Sequence, residues 1–185
     1  VTLLLLAGLA GDAQAGRLSL ASDVLPWALQ GFSFAAYVEP SPTLRWRFGA
    51  ELWRMSVPSG LVDTWPANAG EGWGRQFHHG VAVVASWYPR GGGEGPSVGG
   101  AVDYLHSYLW RAGHSDVGSL HSLELLVRGA WTWFPWPDRD LYLEPIAMFG
   151  PLVPLTPPPT IGGETWSEPW VQAVATVQAG WRLQR

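Results

Sequence analysis

The segment from Thr43 to Val57, TLRWRFGAELWRMSV, alternates between two kinds of residue. Leu44, Trp46, Phe48, Ala50 and Leu52 fall at even positions, with Arg45, Arg47, Gly49 and Glu51 between them. Helical winding mixes two such sets around its axis, whereas an extended strand sends them to opposite faces. The same period runs through Gly31 to Glu39, where Phe32, Phe34, Ala36 and Val38 oppose Ser33, Ala35, Tyr37 and Glu39. In His121 to Phe134, Leu123, Leu125, Val127, Gly129, Trp131 and Trp133 oppose Ser122, Glu124, Arg128 and Thr132. In Asp140 to Gly150, Tyr142 and Glu144 oppose Leu141 and Leu143. In Trp170 to Leu183, the even positions Gln172, Thr176, Gln178 and Arg182 oppose a run of Val, Ala and Trp181. Two weaker segments place His78, Ser86 and Tyr88 (Gly74 to Tyr88) and Asp103 (Ser97 to Trp110) on the polar face. With a first strand at Arg17 to Val24, the pattern predicts about eight strands, an even count allowed for a small bacterial barrel.

The connections point the same way. Pro40 to Pro42 and Pro135 to Arg139 are short, Ser59 to Trp73 and Pro151 to Ser167 are long, and Pro89 to Pro96 and Ala112 to Ser119 lie between. Outer-membrane barrels have short periplasmic turns and longer external loops. The apolar run Leu3 to Ala10, followed by Ala13-Gln14-Ala15, fits a secretory leader over residues 1–15, leaving residues 16–185 as the barrel. That run is too short for a membrane helix, which needs about 20 apolar residues.

Alternation alone suits either a soluble or a membrane barrel, and composition separates them. Only 14% of the 185 residues are charged, against about 25% in an ordinary soluble domain. The 13 Trp residues collect near strand ends. Trp27, Trp53, Trp73, Phe77, Tyr108, Trp110 and Trp170 fall near the ends facing the long loops. Tyr37, Trp46, Trp87, Tyr88, Trp131, Trp133, Trp136, Tyr142 and Trp181 fall near the others. Two aromatic belts around an aliphatic band are what a bilayer selects, because indole and phenol favour the interface. Trp46, Trp53, Trp87, Tyr108, Trp110, Trp131, Trp133 and Trp181 are therefore the expected interface aromatics. The expected fold is all-β, a closed antiparallel up-and-down transmembrane β-barrel. Its lumen would hold a charge network of Glu39, Arg45, Arg47, Glu51, Asp103, Glu124, Arg128 and Glu144. Packed this way, about eight strands enclose a plug and not a wide pore.

In pattern, the chain resembles the small bacterial outer-membrane β-barrels of the outer-membrane protein A transmembrane domain and outer-membrane protein X type. It also resembles outer-membrane barrel families without an assigned activity. The resemblance covers Arg17 to Arg185 and rests on no diagnostic motif. It implies a barrel closed by its first and last strands, with the lipid bilayer and the barrel insertion machinery as partners. Such barrels usually end in an aromatic residue that the machinery reads, and here Trp181 lies four residues before the end.

Chemistry is less visible. His114-Ser115-Asp116 sits in a connection, while His106-Ser107 and His121-Ser122 sit in strands, where neighbours diverge, so no catalytic set is expected. The pair His78-His79 diverges in the same way and has no second ligand pair at suitable spacing, so no metal or cofactor is expected. Eleven arginines, no lysine and a net charge of -4 make no basic footprint for nucleic acid. No cysteine is present, which excludes disulfides. The expected role is structural or interactive, through an external-loop partner. The alternatives are an envelope-lipid-modifying barrel enzyme and a soluble lipocalin-like carrier.

Overall fold

A computed structural model describes residues 16–183 apart from 42 and 137, so the expected leader over residues 1–15 lies outside the described residues. The elements follow in order: β1 (Arg17–Asp23), α1 (Val24–Ala28), β2 (Phe32–Glu39), β3 (Trp46–Val57), α2 (Ser59–Val62), β4 (Trp73–Trp87), β5 (Gly95–Arg111) and β6 (Val117–Thr132). Then come β7 (Leu141–Pro154), the short strands β8 (Thr160–Ile161) and β9 (Glu164–Thr165), and β10 (Val171–Leu183). β8 and β9 form a separate ribbon. The other eight strands close an antiparallel up-and-down barrel in chain order, β1 pairing with β10 through Leu20↔Trp181 and Leu18↔Leu183. Closure leaves no unpaired edge over the height that all eight strands share.

Strand length is uneven. β5 has 17 residues and β6 has 16, while β1 has 7 and β2 has 8. The β1–β2 hairpin is continued by α1, whose Pro26 is tolerated because a first helical turn needs no N–H donor there. This helix packs against β2, β3 and β10. The turn between β4 and β5 carries Gly91, Gly92, Gly93 and Gly95 at φ values of 72, 69, 60 and 79 degrees, a region that side-chain-bearing residues rarely adopt. The expected connection Ala112 to Ser119 is shorter than the sequence suggested, because β6 begins at Val117.

Registers shift between Trp53 and Met55 on β3 and between Phe77 and His79 on β4. A bulge adds a residue to one strand and resets which face its successors take. His78, expected on the polar inner face, instead joins His79 on the outer wall, where its ring meets Tyr108 and His106.

Candidate functional site

The lumen is filled from the short-turn end by a connected polar cluster. Glu144 on β7 is its hub. Arg47 on β3 donates to both Glu144 oxygens at 2.5 and 2.7 Å, Arg128 on β6 donates at 2.7 Å, and Thr132 donates at 2.6 Å. Arg128 also donates to Ser86 Oγ at 2.9 Å, and the Arg47 guanidinium lies over the Tyr37 and Tyr88 rings. The Tyr37 hydroxyl lies 2.5 Å from a Glu51 carboxylate oxygen, to which it donates, and 2.7 Å from the Gln178 side-chain amide, extending the cluster across the lumen. Nearer the short turns, Glu39 pairs with Arg17 at 3.8 Å and Arg182 at 3.5 Å, and Arg182 donates to the Gly93 carbonyl. Charges buried this deeply are tolerated only with such partners, since removing a carboxylate strands the cations.

Among the residues expected in this network, Glu39, Arg47, Glu51, Asp103, Glu124, Arg128 and Glu144 point inward. They do not form one set. Asp103 and Glu124 pair across β5 and β6 farther up, where Asp103 accepts from the Trp53 indole at 3.0 Å. A cavity of about 60 Å³ lies beside them, lined by Asp23, Glu51, Met148 and Thr176. Arg45 is a correction: it sits exposed in the β2–β3 turn, because β3 begins only at Trp46. Tyr37, Tyr88 and Tyr142 are further corrections, being buried lumen residues and not part of a wall belt. Glycines make the space for Tyr37 and Tyr142. A Cβ at Gly49 would lie 2.1 Å from the Tyr37 ring, and one at Gly180 would lie 2.2 Å from the Tyr142 ring. Both pairs are direct cross-strand neighbours.

The outer wall carries the other expected aromatics. Trp46, Trp131, Trp133, Trp136 and Trp181 are exposed there, and Trp87 pairs with Trp46 across β3 and β4. All lie toward the short-turn end, with Val81, Val83, Val98, Val102, Leu125 and Val127 exposed above them. Val83 is 66% exposed and Trp181 is 57% exposed. Trp110, Trp27 and Trp170 are exposed at the long-loop end, and Tyr108 is half-buried there. Trp53, Trp73 and Phe77 are corrections: they pack inside the barrel, Trp53 on the same period as Arg47 and Glu51, and Trp73 and Phe77 because the β4 bulge turns that strand.

Polarity reverses partway up the wall. Registers align His79, His106 and His121 in one row across β4, β5 and β6, and the Leu155 N–H bonds the His121 carbonyl at 2.7 Å. Below that row the outside is apolar and the inside polar. Above it the inside is mainly apolar around one ion pair, with Trp73, Leu109, Leu120, Ile161 and Trp166 clustered around Val62. The outside there becomes mixed, with polar side chains beside Trp110 and Val117: Arg54 donates to Gln76 at 3.3 Å, and Gln76 donates to Ser56 at 3.1 Å. Among the described residues, only β3 to β6 extend above the row, since β7 ends beside His121 and β10 begins at Val171, opposite Pro151.

The long loops 58–72 and 155–170 close this upper half as a cap. Trp65, Trp73 and Trp166 meet edge to face at 5.6 and 5.5 Å. The Asn68 amide both donates to and accepts from the Ser167 backbone, at 2.7 and 3.0 Å. Beneath the tryptophans, Arg75 pairs with Glu168 at 2.8 Å and donates to Ser107 at 3.1 Å. Sequence reasoning missed Arg75 and Glu168. The signal was present in Gly74 to Tyr88, where Arg75 shares the period of Trp73 and Phe77.

The candidate catalytic sets do not assemble. His114, Ser115 and Asp116 are exposed in the β5–β6 turn. Ser107 faces inward to Arg75, opposite His106, and Ser122 is buried opposite His121. His106 instead meets Ser119 on the outer wall, Nε2 to Oγ 2.9 Å.

No protein-family model and no curated protein matches the chain. Among solved structures, the chain is similar to a major outer membrane protein from Thermus thermophilus, with 13% identity and a TM-score of 0.47. The similarity covers 92% of this chain and 100% of that one.

Proposed function

We propose that the chain is an integral outer-membrane β-barrel whose capped, plugged body serves a structural or interactive role at the cell surface. The observation that carries this is the reversal of polarity at the His79–His106–His121 row. Below the row, valines and leucines face out over a ring of tryptophans, while arginine and glutamate are sealed inside. A water-soluble carrier buries its apolar face and exposes its charge. The reverse is stable where hydrocarbon surrounds the wall, and tryptophan at its edge suits the headgroup region. Above the row the wall returns to ordinary protein polarity, which suits a segment standing in water. The long-loop side is then external, and the short turns are periplasmic.

The cap makes the role specific. Its exposed Leu61, Leu155 and Trp170 offer apolar contact points on a loop surface held rigid from beneath. Loops on a rigid scaffold are where binding resides. Expressed in a Gram-negative host, the protein is expected in the outer-membrane fraction after an alkaline wash, migrating faster on a gel when unheated than when boiled. Recovery in buffer without detergent contradicts the proposal.

An envelope-lipid enzyme has one observation in its favour, the His106–Ser119 hydrogen bond above the apolar band. Its neighbours on the wall are imidazoles and phenols. No carboxylate among the described residues orients His106 by a hydrogen bond, as a Ser–His nucleophile requires. Mass spectrometry of envelope lipids separates the two: Ser119→Ala leaves the lipid profile unchanged in the barrel reading and alters it in the enzyme reading.

A further inference from the structure

We propose that the outer wall of β4 and β5 carries a transition-metal site built from His78, His79 and His106. One ring nitrogen from each lies within 4.8 Å of the others. Two features of the fold bring them together. Neighbours in a regular strand diverge, but the β4 bulge turns both His78 and His79 outward. The β4–β5 register then sets His106 directly across from His79. The three rings crowd pairwise, with centroids 5.2, 5.4 and 5.0 Å apart.

The donor set fixes the class of ion. Imidazole nitrogen suits Zn²⁺, Cu²⁺ and Ni²⁺, whereas Ca²⁺ and Mg²⁺ take oxygen. Zinc bonds to imidazole at about 2.0–2.1 Å, so tetrahedral ligand atoms stand about 3.4 Å apart. Rotation of these half-buried side chains closes the remaining gap. Three imidazoles leave a fourth position, open here toward the surroundings of the barrel and not toward its lumen.

The surrounding groups orient the ligands. Ser119 Oγ bonds His106 Nε2 at 2.9 Å, which leaves the other ring nitrogen for a metal. His121 stacks on His106 at 4.4 Å and 10 degrees, and its Nδ1 is bonded to the Tyr104 hydroxyl at 2.6 Å. Tyr108 packs against both His78 and His106 at 4.9 Å. Hydrogen-bonded partners of this kind fix the ring and tautomer of ligating histidines.

The test uses the full chain without a histidine tag, refolded in zwitterionic micelles and freed of metal by a chelator. Calorimetric titration with zinc chloride is expected to show one saturable equivalent. His78→Ala and His106→Ala are expected to abolish it, and His114→Ala, in the β5–β6 turn, to leave it unchanged. Cobalt in place of zinc is expected to give the strong visible absorption of a four-coordinate ion. Lack of saturable binding, equal binding by a His78→Ala/His79→Ala/His106→Ala variant, or a weak six-coordinate cobalt spectrum overturns the site. Because these side chains face outward, each variant should still show the faster migration of the unheated barrel. A chain that passes that check and fails to bind removes the metal site and leaves the barrel proposal standing.

Discussion

Glu144 is where the residue scale is most exposed to test. It accepts from Arg47, Arg128 and Thr132 in a fully buried setting. Glu144→Gln leaves two buried guanidinium groups without their shared anion, and is expected to cost about 3–5 kcal/mol. Urea unfolding in lipid vesicles, with and without the substitution, measures it; a loss below about 1 kcal/mol contradicts the hub. Gly49 offers a steric counterpart. Its missing Cβ is what lets the Tyr37 ring lie flat across the lumen, held by Glu51 and Gln178. Gly49→Val is expected to destabilise the barrel by about 1–3 kcal/mol in the same assay, as overpacking does. These contacts were only partly legible in the sequence. Alternation placed Arg47, Arg128 and Glu144 on inner faces, and with them Tyr37, Tyr88 and Tyr142. Reading the same tyrosines as a wall belt went against that alternation, because tyrosine near a strand end suits both a bilayer interface and a buried polar cluster. The facing glycines decide it for Tyr37 and Tyr142.

At the scale of elements, the long strands hold two segments of opposite polarity. Along β5, Val98 and Val102 face out with Asp103 inside, and then His106 and Tyr108 face out with Leu105 and Leu109 inside. Reading one polar face along the whole strand averages over that switch. The switch was written in the order Asp103-Tyr104-Leu105-His106, and the β4 bulge hid it on the neighbouring strand. Inner placement of Trp73 and Phe77 follows from the same change, since the upper half has an ordinary apolar interior. In the proposed membrane orientation, a charge on the lower wall meets hydrocarbon and one on the upper wall meets water. Val83→Arg is expected to cost about 2–4 kcal/mol, as arginine does near a bilayer midplane. Ser119→Arg is expected to stay within about 1 kcal/mol. Equal costs for the two in vesicle unfolding contradict the boundary between them.

The molecule as a whole is a closed eight-stranded barrel, plugged below by an ion-paired cluster and capped above by two loops. Strand number and up-and-down order followed from the period of two and the connection lengths, because register leaves its mark on every residue; closure of the first strand on the last came from the resemblance to small outer-membrane barrels. The cap did not, since loop packing depends on single side chains such as Asn68 and Trp166 with no periodic signature. A body obstructed at both ends is expected to show no steady conductance in a planar bilayer, and stable open-channel steps contradict the plug. The wall itself is tested most directly by spin labels, made clean by the lack of native cysteine. Val127→Cys and Ser119→Cys place a nitroxide on the outer face of β6, below and above the histidine row. In vesicles, the label at 127 should collide with dissolved oxygen and be shielded from water-soluble chromium oxalate, while the label at 119 should be open to chromium oxalate. Equal access of chromium oxalate to both positions would contradict a lipid-facing wall.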